Sequence, residues 1–117
     1  MSAMHCLRGA LVALALSPVG AAWATPLKLI GFDDMSCRAW VASKDDAERR
    51  AQYVAWVRGV LTGHNYVNRS QQVSDISSGT VENHVSRYCS QNAKGSFSDA
   101  ALRMSDQFSG RNAAITK

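Results

Sequence analysis

Two cysteines constrain the fold of this chain more than any other feature. Of the three cysteines among its 117 residues, Cys6 lies in an N-terminal segment that we expect to be removed. Cys37 and Cys89 then remain as a pair in an exported domain, and an oxidising compartment makes a disulfide between them the default. The bond would close a loop of roughly fifty residues, for which chain-entropy arithmetic gives about 4 kcal/mol of stabilisation. The pair therefore indicates a stable scaffold and argues against a metal enzyme.

The first 24 residues have the three parts of a secretory signal peptide. Arg8 supplies a basic start, residues 10–16 form a short apolar run, and residues 22–24 (Ala-Trp-Ala) fit the small-x-small cleavage rule. A membrane anchor is the alternative, but the apolar run is too short to cross about 30 Å of hydrocarbon. We predict cleavage after residue 24, export to the periplasm and a single helical domain over residues 25–117, without stable membrane insertion.

The charge pattern of the mature part bears on its partners. Residues 25–117 contain twelve Lys or Arg and nine Asp or Glu, which gives a net charge of about +3. The charges are interspersed, and no run is longer than Asp45-Asp46 or Arg49-Arg50. A nucleic-acid-binding domain usually carries a clustered basic face, so we expect no nucleic-acid partner. Asp33-Asp34 and Asp45-Asp46 are interpreted as acids at helix starts.

Apolar residues at helical spacing follow residue 34 almost throughout. Serine residues with an acid nearby provide candidate N-caps, and glycine provides a C-terminal stop. We predict a short helix from about Ser36 to Ala42, with Asp33, Asp34 or Ser36 as its N-cap. A main helix capped by Ser43 and running to about Asn65 follows, then a third from Thr80 to about Gln91 and a fourth that opens at Ser96 and stops at Gly110.

Two segments lack helical spacing. Residues 25–32 alternate weakly, and we expect an extended arm that packs on the core, with a β-strand as the alternative. Residues 66–79 are polar and rich in turn formers, which predicts a surface loop with Ile76 packed into the core.

The mature chain lacks the side chains of familiar active sites. No serine lies in a Gly-x-Ser-x-Gly elbow, and both mature cysteines are assigned to the disulfide. His64 and His84 are its only histidines, and zinc usually takes three or four ligands. A two-histidine metal site is the alternative to one interface histidine and one solvent-facing histidine. We predict no enzymatic activity, no cofactor and no metal.

Three aromatic residues permit two interpretations. Trp40, Tyr53 and Trp56 can fill the core of a small helical domain, or they can line a groove for a partner. Gly59 and Gly63 lie on the same side of the main helix as Trp56, and each costs about 1 kcal/mol relative to alanine. Close approach of another backbone or side chain would explain them, and a kinked or frayed helix end is the alternative. These five residues form the candidate interface, including a possible homodimer contact.

The segments around the two cysteines resemble one known family. The first is Met35-Ser36-Cys37-Arg38-Ala39-Trp40, and the second runs from Val85 to Asn92, with Phe97 and Asp99 eight and ten residues after the cysteine. This pattern resembles the HdeA/HdeB family of small periplasmic proteins, known as acid-stress chaperones. Ala93 stands where that family often has proline, and the middle helix is longer and richer in charge.

The resemblance implies an all-α bundle of four or five helices with one disulfide, and a dimer that loosens in acid and exposes apolar surface to client proteins. Acid would neutralise all carboxylates, and twelve Lys or Arg with two histidines would then carry about +14, which opposes the compact state. The chain is also similar, more weakly, to periplasmic immunity proteins that neutralise type VI secretion amidases. That similarity implies an inhibitor that binds a secreted toxin or hydrolase. An accessory domain without activity of its own is a third hypothesis.

Overall fold

Four α-helices account for most of residues 25–110, the part of the chain that the computed structural model describes. They are α1 Cys37–Ala42, α2 Ala47–Val67, α3 Ser78–Gln91 and α4 Phe97–Phe108, with a short 3-10 turn, Ser43–Asp45, between α1 and α2. This part contains no β-strand beyond one isolated bridge between Ser36 and Ser96. The predicted all-α fold is confirmed, while the predicted signal peptide lies outside the described residues.

Serine and aspartate side chains set where the helices begin. The hydroxyl oxygens of Ser36 and Ser96 accept hydrogen bonds from the backbone N–H groups of Ala39 and Asp99, at 3.0 and 3.2 Å. The predicted Ser96 cap is confirmed, and of the three candidates for α1 it is Ser36 that caps the helix. Ser77, instead of Thr80, caps α3.

The start of α2 differs from the prediction. Ser43 lies in the 3-10 turn, and its hydroxyl donates to the Trp40 carbonyl at 2.6 Å. Asp46 takes over as the N-cap, because its carboxylate accepts from the Arg49 N–H at 3.0 Å. The helix consequently begins at Ala47, and it ends at Val67, two residues beyond the predicted end.

The core lies where the inner faces of all four helices meet. Phe97 is completely buried, and its ring lies 4.7 Å from that of Tyr53, 5.9 Å from Trp40, 6.0 Å from Trp56 and 6.4 Å from Phe32. Aliphatic residues extend this core toward the other end of the bundle: Val54, Val57, Leu61, Val81, Val85 and Met104. Edge-to-face and tilted ring pairs of this kind add to the free energy of burial.

The disulfide joins α1 to α3. Cys37 and Cys89 are bonded, their Cα atoms lie 5.1 Å apart, and both are buried, so the predicted pairing is confirmed. The bond closes a ring of chain that contains the whole of α2. The arm and α4 both lie outside this ring.

The Asn65 side chain binds the loop between α2 and α3 through two hydrogen bonds to one residue. The Asn65 carboxamide donates to the Val73 carbonyl at 2.9 Å and accepts from the Val73 N–H at 2.7 Å. Val73 is buried, whereas Ile76 is half-buried and packs against the core. No helix within residues 25–110 is long and apolar enough to cross a membrane.

Candidate binding surface

The five candidate interface residues fall into two groups in the structure. Trp40 and Tyr53 are buried, with 1% and 6% of their surface exposed. Trp56 is half-buried at the surface, and Gly59 and Gly63 are exposed. Only the second group is accessible to a partner while the helices stay packed, and its role as an interface stays a prediction.

Trp40 is held in the core by polar contacts as well as packing. Its indole N–H donates to the Ser86 hydroxyl at 3.0 Å. The Arg50 guanidinium lies 4.1 Å above its ring and donates to the Trp40 carbonyl at 2.7 Å. A cation over an indole face contributes about 0.5–2 kcal/mol. These contacts favour a structural role for Trp40.

Trp56 connects α2 to the N-terminal arm, residues 25–32. Its indole N–H donates to the Ile30 carbonyl at 2.9 Å. A Cβ placed on the next residue, Gly31, would lie 2.8 Å from the Trp56 Nε1 atom and 3.0 Å from the Met35 sulfur. The arm therefore needs glycine to pass so close to the indole, a requirement that the sequence alone does not reveal.

An apolar groove opens where the arm crosses α2. Its volume is about 410 Å³, and we call it the arm groove. Apart from Lys28, its lining is uncharged and consists of Leu27, Leu29 and Ile30 from the arm, Trp56, Gly59 and Val60 from α2, and Leu102 from α4. Leu27 and Ile30 are 68% and 84% exposed, so the arm presents more apolar surface to solvent than the predicted packing on the core would leave.

The groove continues into an open face along α2. Trp56, Val60, Gly63 and Val67 follow one another at four-, three- and four-residue spacing, which places them on one side of the helix. A Cβ at Gly59 or Gly63 would meet nothing within 4 Å, and Val67 is 72% exposed. Hence no segment of the described chain makes the close approach that these glycines permit.

The two histidines lie in separate environments. His64 Nε2 lies 2.9 Å from the Gln71 carbonyl oxygen and 3.1 Å from the Ser109 hydroxyl. A carbonyl only accepts, so Nε2 carries the proton and does not act as a base toward Ser109, whose hydroxyl itself donates to Gln71. His84 packs edge-on against Phe108 with ring centroids 4.8 Å apart. Within residues 25–110, no three metal-ligating side chains are grouped so that they could hold an ion.

Comparison of the chain with models of known protein families, with curated proteins and with solved structures finds no match. The resemblance to the HdeA/HdeB family therefore stays a prediction.

Proposed function

We propose that this protein is a non-enzymatic periplasmic protein that binds exposed apolar segments of client proteins under acid stress, as the HdeA/HdeB resemblance implies. The arm groove and the open face of α2 are the observation that supports it. Contiguous exposed apolar surface on a small protein is characteristic of interaction sites. Burial of one leucine or isoleucine side chain contributes about 1.5–3 kcal/mol.

The arm is held weakly, so its release would enlarge the exposed apolar surface. Leu27, Leu29 and Ile30 keep much of their surface in solvent, so little apolar burial holds the arm in place before Phe32. Release of the arm would uncover more of Trp56 and the aromatic cluster around Phe97. The Cys37–Cys89 bond would meanwhile keep α1 attached to α3. Such a protein can loosen locally without complete unfolding.

Acid provides the driving force for that loosening. Protonation of the carboxylates leaves a strong excess of positive charge on a small chain, and self-repulsion then favours expanded states. Compact acid states with exposed apolar surface bind hydrophobic dyes. The proposal therefore couples low pH to exposure of the surface that takes up clients.

A pH titration of the purified protein from neutral to about pH 2 tests the proposal. Light scattering follows particle size, a hydrophobic dye follows exposed apolar surface, and aggregation of an acid-sensitive client is measured at the low end. We expect reversible dye binding together with suppressed aggregation. A compact, dye-silent protein that leaves aggregation unchanged would overturn the proposal. The inhibitor hypothesis would then gain weight, since it requires one tight partner at neutral pH.

Matched variants locate the binding surface. Leu27→Ser combined with Ile30→Ser removes exposed apolar side chains from the arm groove but keeps the Ile30 carbonyl that receives the Trp56 N–H. Val41→Ser is the control, because Val41 is 58% exposed on α1 and does not line the groove. We expect the double variant to suppress aggregation less than the control at equal stability. Equal loss in both variants would place client binding elsewhere.

A further inference from the structure

Residues 25–117 contain two methionines, and their surroundings differ. Met104 is buried on α4, with 2% of its surface exposed. Met35 lies between the arm and α1, is half-buried, and keeps part of its surface in solvent. Methionine oxidation depends on the access of an oxidant to the sulfur atom. An oxidant in solvent therefore reaches Met35 more readily than Met104.

The Met35 thioether holds the end of the arm by a hydrogen bond. Its Sδ atom accepts from the Phe32 N–H at 3.2 Å. A thioether sulfur is a weak acceptor and has no proton to donate, so this bond depends on one lone pair of the sulfur. The bond closes a short turn that joins the arm to the start of the bundle.

The arm backbone also packs closely on the same side chain. A Cβ placed on Gly31 would lie 3.0 Å from the Met35 sulfur and 3.2 Å from its terminal methyl carbon. The same Cβ would lie 2.8 Å from the Trp56 Nε1 atom. Gly31 thus passes between the thioether and the indole, and the space on this side of the sulfur is already filled.

The backbone of Met35 is anchored to the bundle. Its carbonyl accepts from the Phe97 N–H at 2.9 Å, and two residues later the Cys37 N–H donates to the Gly95 carbonyl at 3.0 Å. A chemical change on the Met35 side chain would therefore displace the arm and not the start of α1.

We propose that Met35 is an oxidation site at which a hydroperoxide releases the N-terminal arm. For hydrogen peroxide, a sulfur lone pair attacks one oxygen, an S–O bond forms and the O–O bond breaks. The proton on the transferred oxygen passes to the departing hydroxide, so the products are methionine sulfoxide and water. The sulfur loses two electrons, and the peroxide gains them. Methionine sulfoxide reductases, supplied with a thiol reductant, restore the thioether.

Oxidation of either lone pair of the sulfur would weaken the hold on the arm. An oxygen on the lone pair that faces Phe32 would occupy the 3.2 Å gap and push the N–H away. An oxygen on the other lone pair would leave a positively polarised sulfur in front of the N–H, which then loses its acceptor. The sulfoxide is also polar, so its packing against Gly31 becomes less favourable. The Trp56 bond to Ile30 would then hold the arm without support from Met35.

Release by this route operates at neutral pH and requires neither acid nor a client protein. The site is therefore independent of the proposed function, and its test measures oxidation and arm attachment instead of aggregation.

Treatment of the purified protein with hydrogen peroxide at neutral pH tests the site. Mass spectrometry of proteolytic peptides measures the sulfoxide at Met35 and at Met104 separately. We expect Met35 to oxidise at least about tenfold faster than Met104, because Met104 is sealed in the core.

Hydrogen exchange of the two indole N–H groups, followed by NMR, measures arm attachment. The Trp56 indole reports the bond to Ile30, and the Trp40 indole, which donates to Ser86, is the internal reference. After oxidation we expect the Trp56 indole to exchange at least about fivefold faster, with the Trp40 indole unchanged. Removal of the peroxide, followed by methionine sulfoxide reductases of both epimer specificities, should restore slow exchange.

Matched variants separate this site from general oxidative damage. Met35→Leu keeps an apolar side chain of similar volume, and it should abolish the effect of peroxide on the Trp56 indole. Met35→Gln places a polar group there, and it should speed exchange without peroxide. Met104→Leu is the control and should respond like the wild type. The proposal is overturned if Met104 oxidises as fast as Met35, if Trp56 exchange stays the same or slows once Met35 is a sulfoxide, or if Met35→Leu still responds to peroxide.

Discussion

The indole N–H of Trp56 donates a 2.9 Å hydrogen bond to the main-chain carbonyl of Ile30. This bond links the longest helix to an arm whose own apolar side chains are largely exposed. Trp56 also packs edge-on against Phe97, with an interplanar angle of 89°. One side chain thus connects the core to the segment that borders the arm groove.

Trp56→Phe should release the arm while the bundle stays folded. Phenylalanine keeps most of the packing but removes the N–H, and one such hydrogen bond contributes about 1 kcal/mol. We expect faster hydrogen exchange and proteolysis confined to the arm, with a small drop in the free energy of unfolding. Trp40→Phe is the control, because it loses the bond to Ser86 instead. Unchanged exchange in the arm would show that this bond does not hold it.

Alanine substitutions of glycine should lower the free energy of unfolding in the arm and raise it in α2. Gly31→Ala forces its Cβ against the Trp56 ring nitrogen and the Met35 sulfur, so we expect lower stability and a displaced arm. Gly59→Ala and Gly63→Ala meet nothing, and each should raise stability by about 1 kcal/mol through helix propensity. Urea unfolding of the three variants measures the difference. Destabilisation by Gly59→Ala would indicate a close neighbour that the monomer does not show.

Reduction of the disulfide should cost a large part of the stability. Loss of a native disulfide in a small exported domain typically costs about 2–5 kcal/mol. We expect Cys37→Ser combined with Cys89→Ser to lower Tm strongly and to make it insensitive to reductant. Cys6→Ser is the control, because this substitution would have no effect on stability once the N-terminal segment is removed. A double variant that melts like the wild type would contradict this assignment of stability to the bond.

The contribution of Asp34 to the free energy of unfolding should be lost in acid. Hydrogen bonds from Ser36 lower its pKa from 3.8 in the folded state. The stabilisation from Asp34 is therefore fully present when the pH is above the pKa that this residue has in the unfolded state. It is lost as the pH falls through the lower pKa of the folded state. We expect the stability difference between wild type and Asp34→Ala to persist at neutral pH and to vanish in acid. Asp45→Ala, which lacks this contact, controls for net charge. A difference that grows below pH 3.8 would contradict the direction of the shift.

Local chemistry explains which parts of the fold the sequence predicts. The Ser36 and Ser96 caps and the disulfide depend on short patterns, and all three appear in the structure. The pattern predicts Ser43 as the N-cap of α2, although serine and aspartate both cap helices. The choice of Asp46 depends on competition, since the Ser43 hydroxyl is engaged by the Trp40 carbonyl and by Arg50.

The candidate sites depend more on the path of the arm than on any pattern. Asp33, Asp34 and Asp46 were interpreted as helix-start acids, and only Asp46 acts as an N-cap. The arm groove forms because the arm crosses α2 beside Trp56, where Gly31 permits the close approach. Such long-range proximity has no signature in the spacing of residues along the chain.

The ring closed by Cys37 and Cys89 also determines how the molecule would carry tension. The two tails that leave the ring meet each other, because the Cys37 N–H donates to Gly95 at 3.0 Å and the Phe97 N–H donates to Met35 at 2.9 Å. The bridge is antiparallel and both tails leave it at the same end, so a pull on both ends of the chain would first unzip these bonds and then pass directly through the sulfur–sulfur link. Residues 38–88 would bear no load while the sulfur–sulfur link holds. The pulling force would therefore act on the arm and α4 and not on α2.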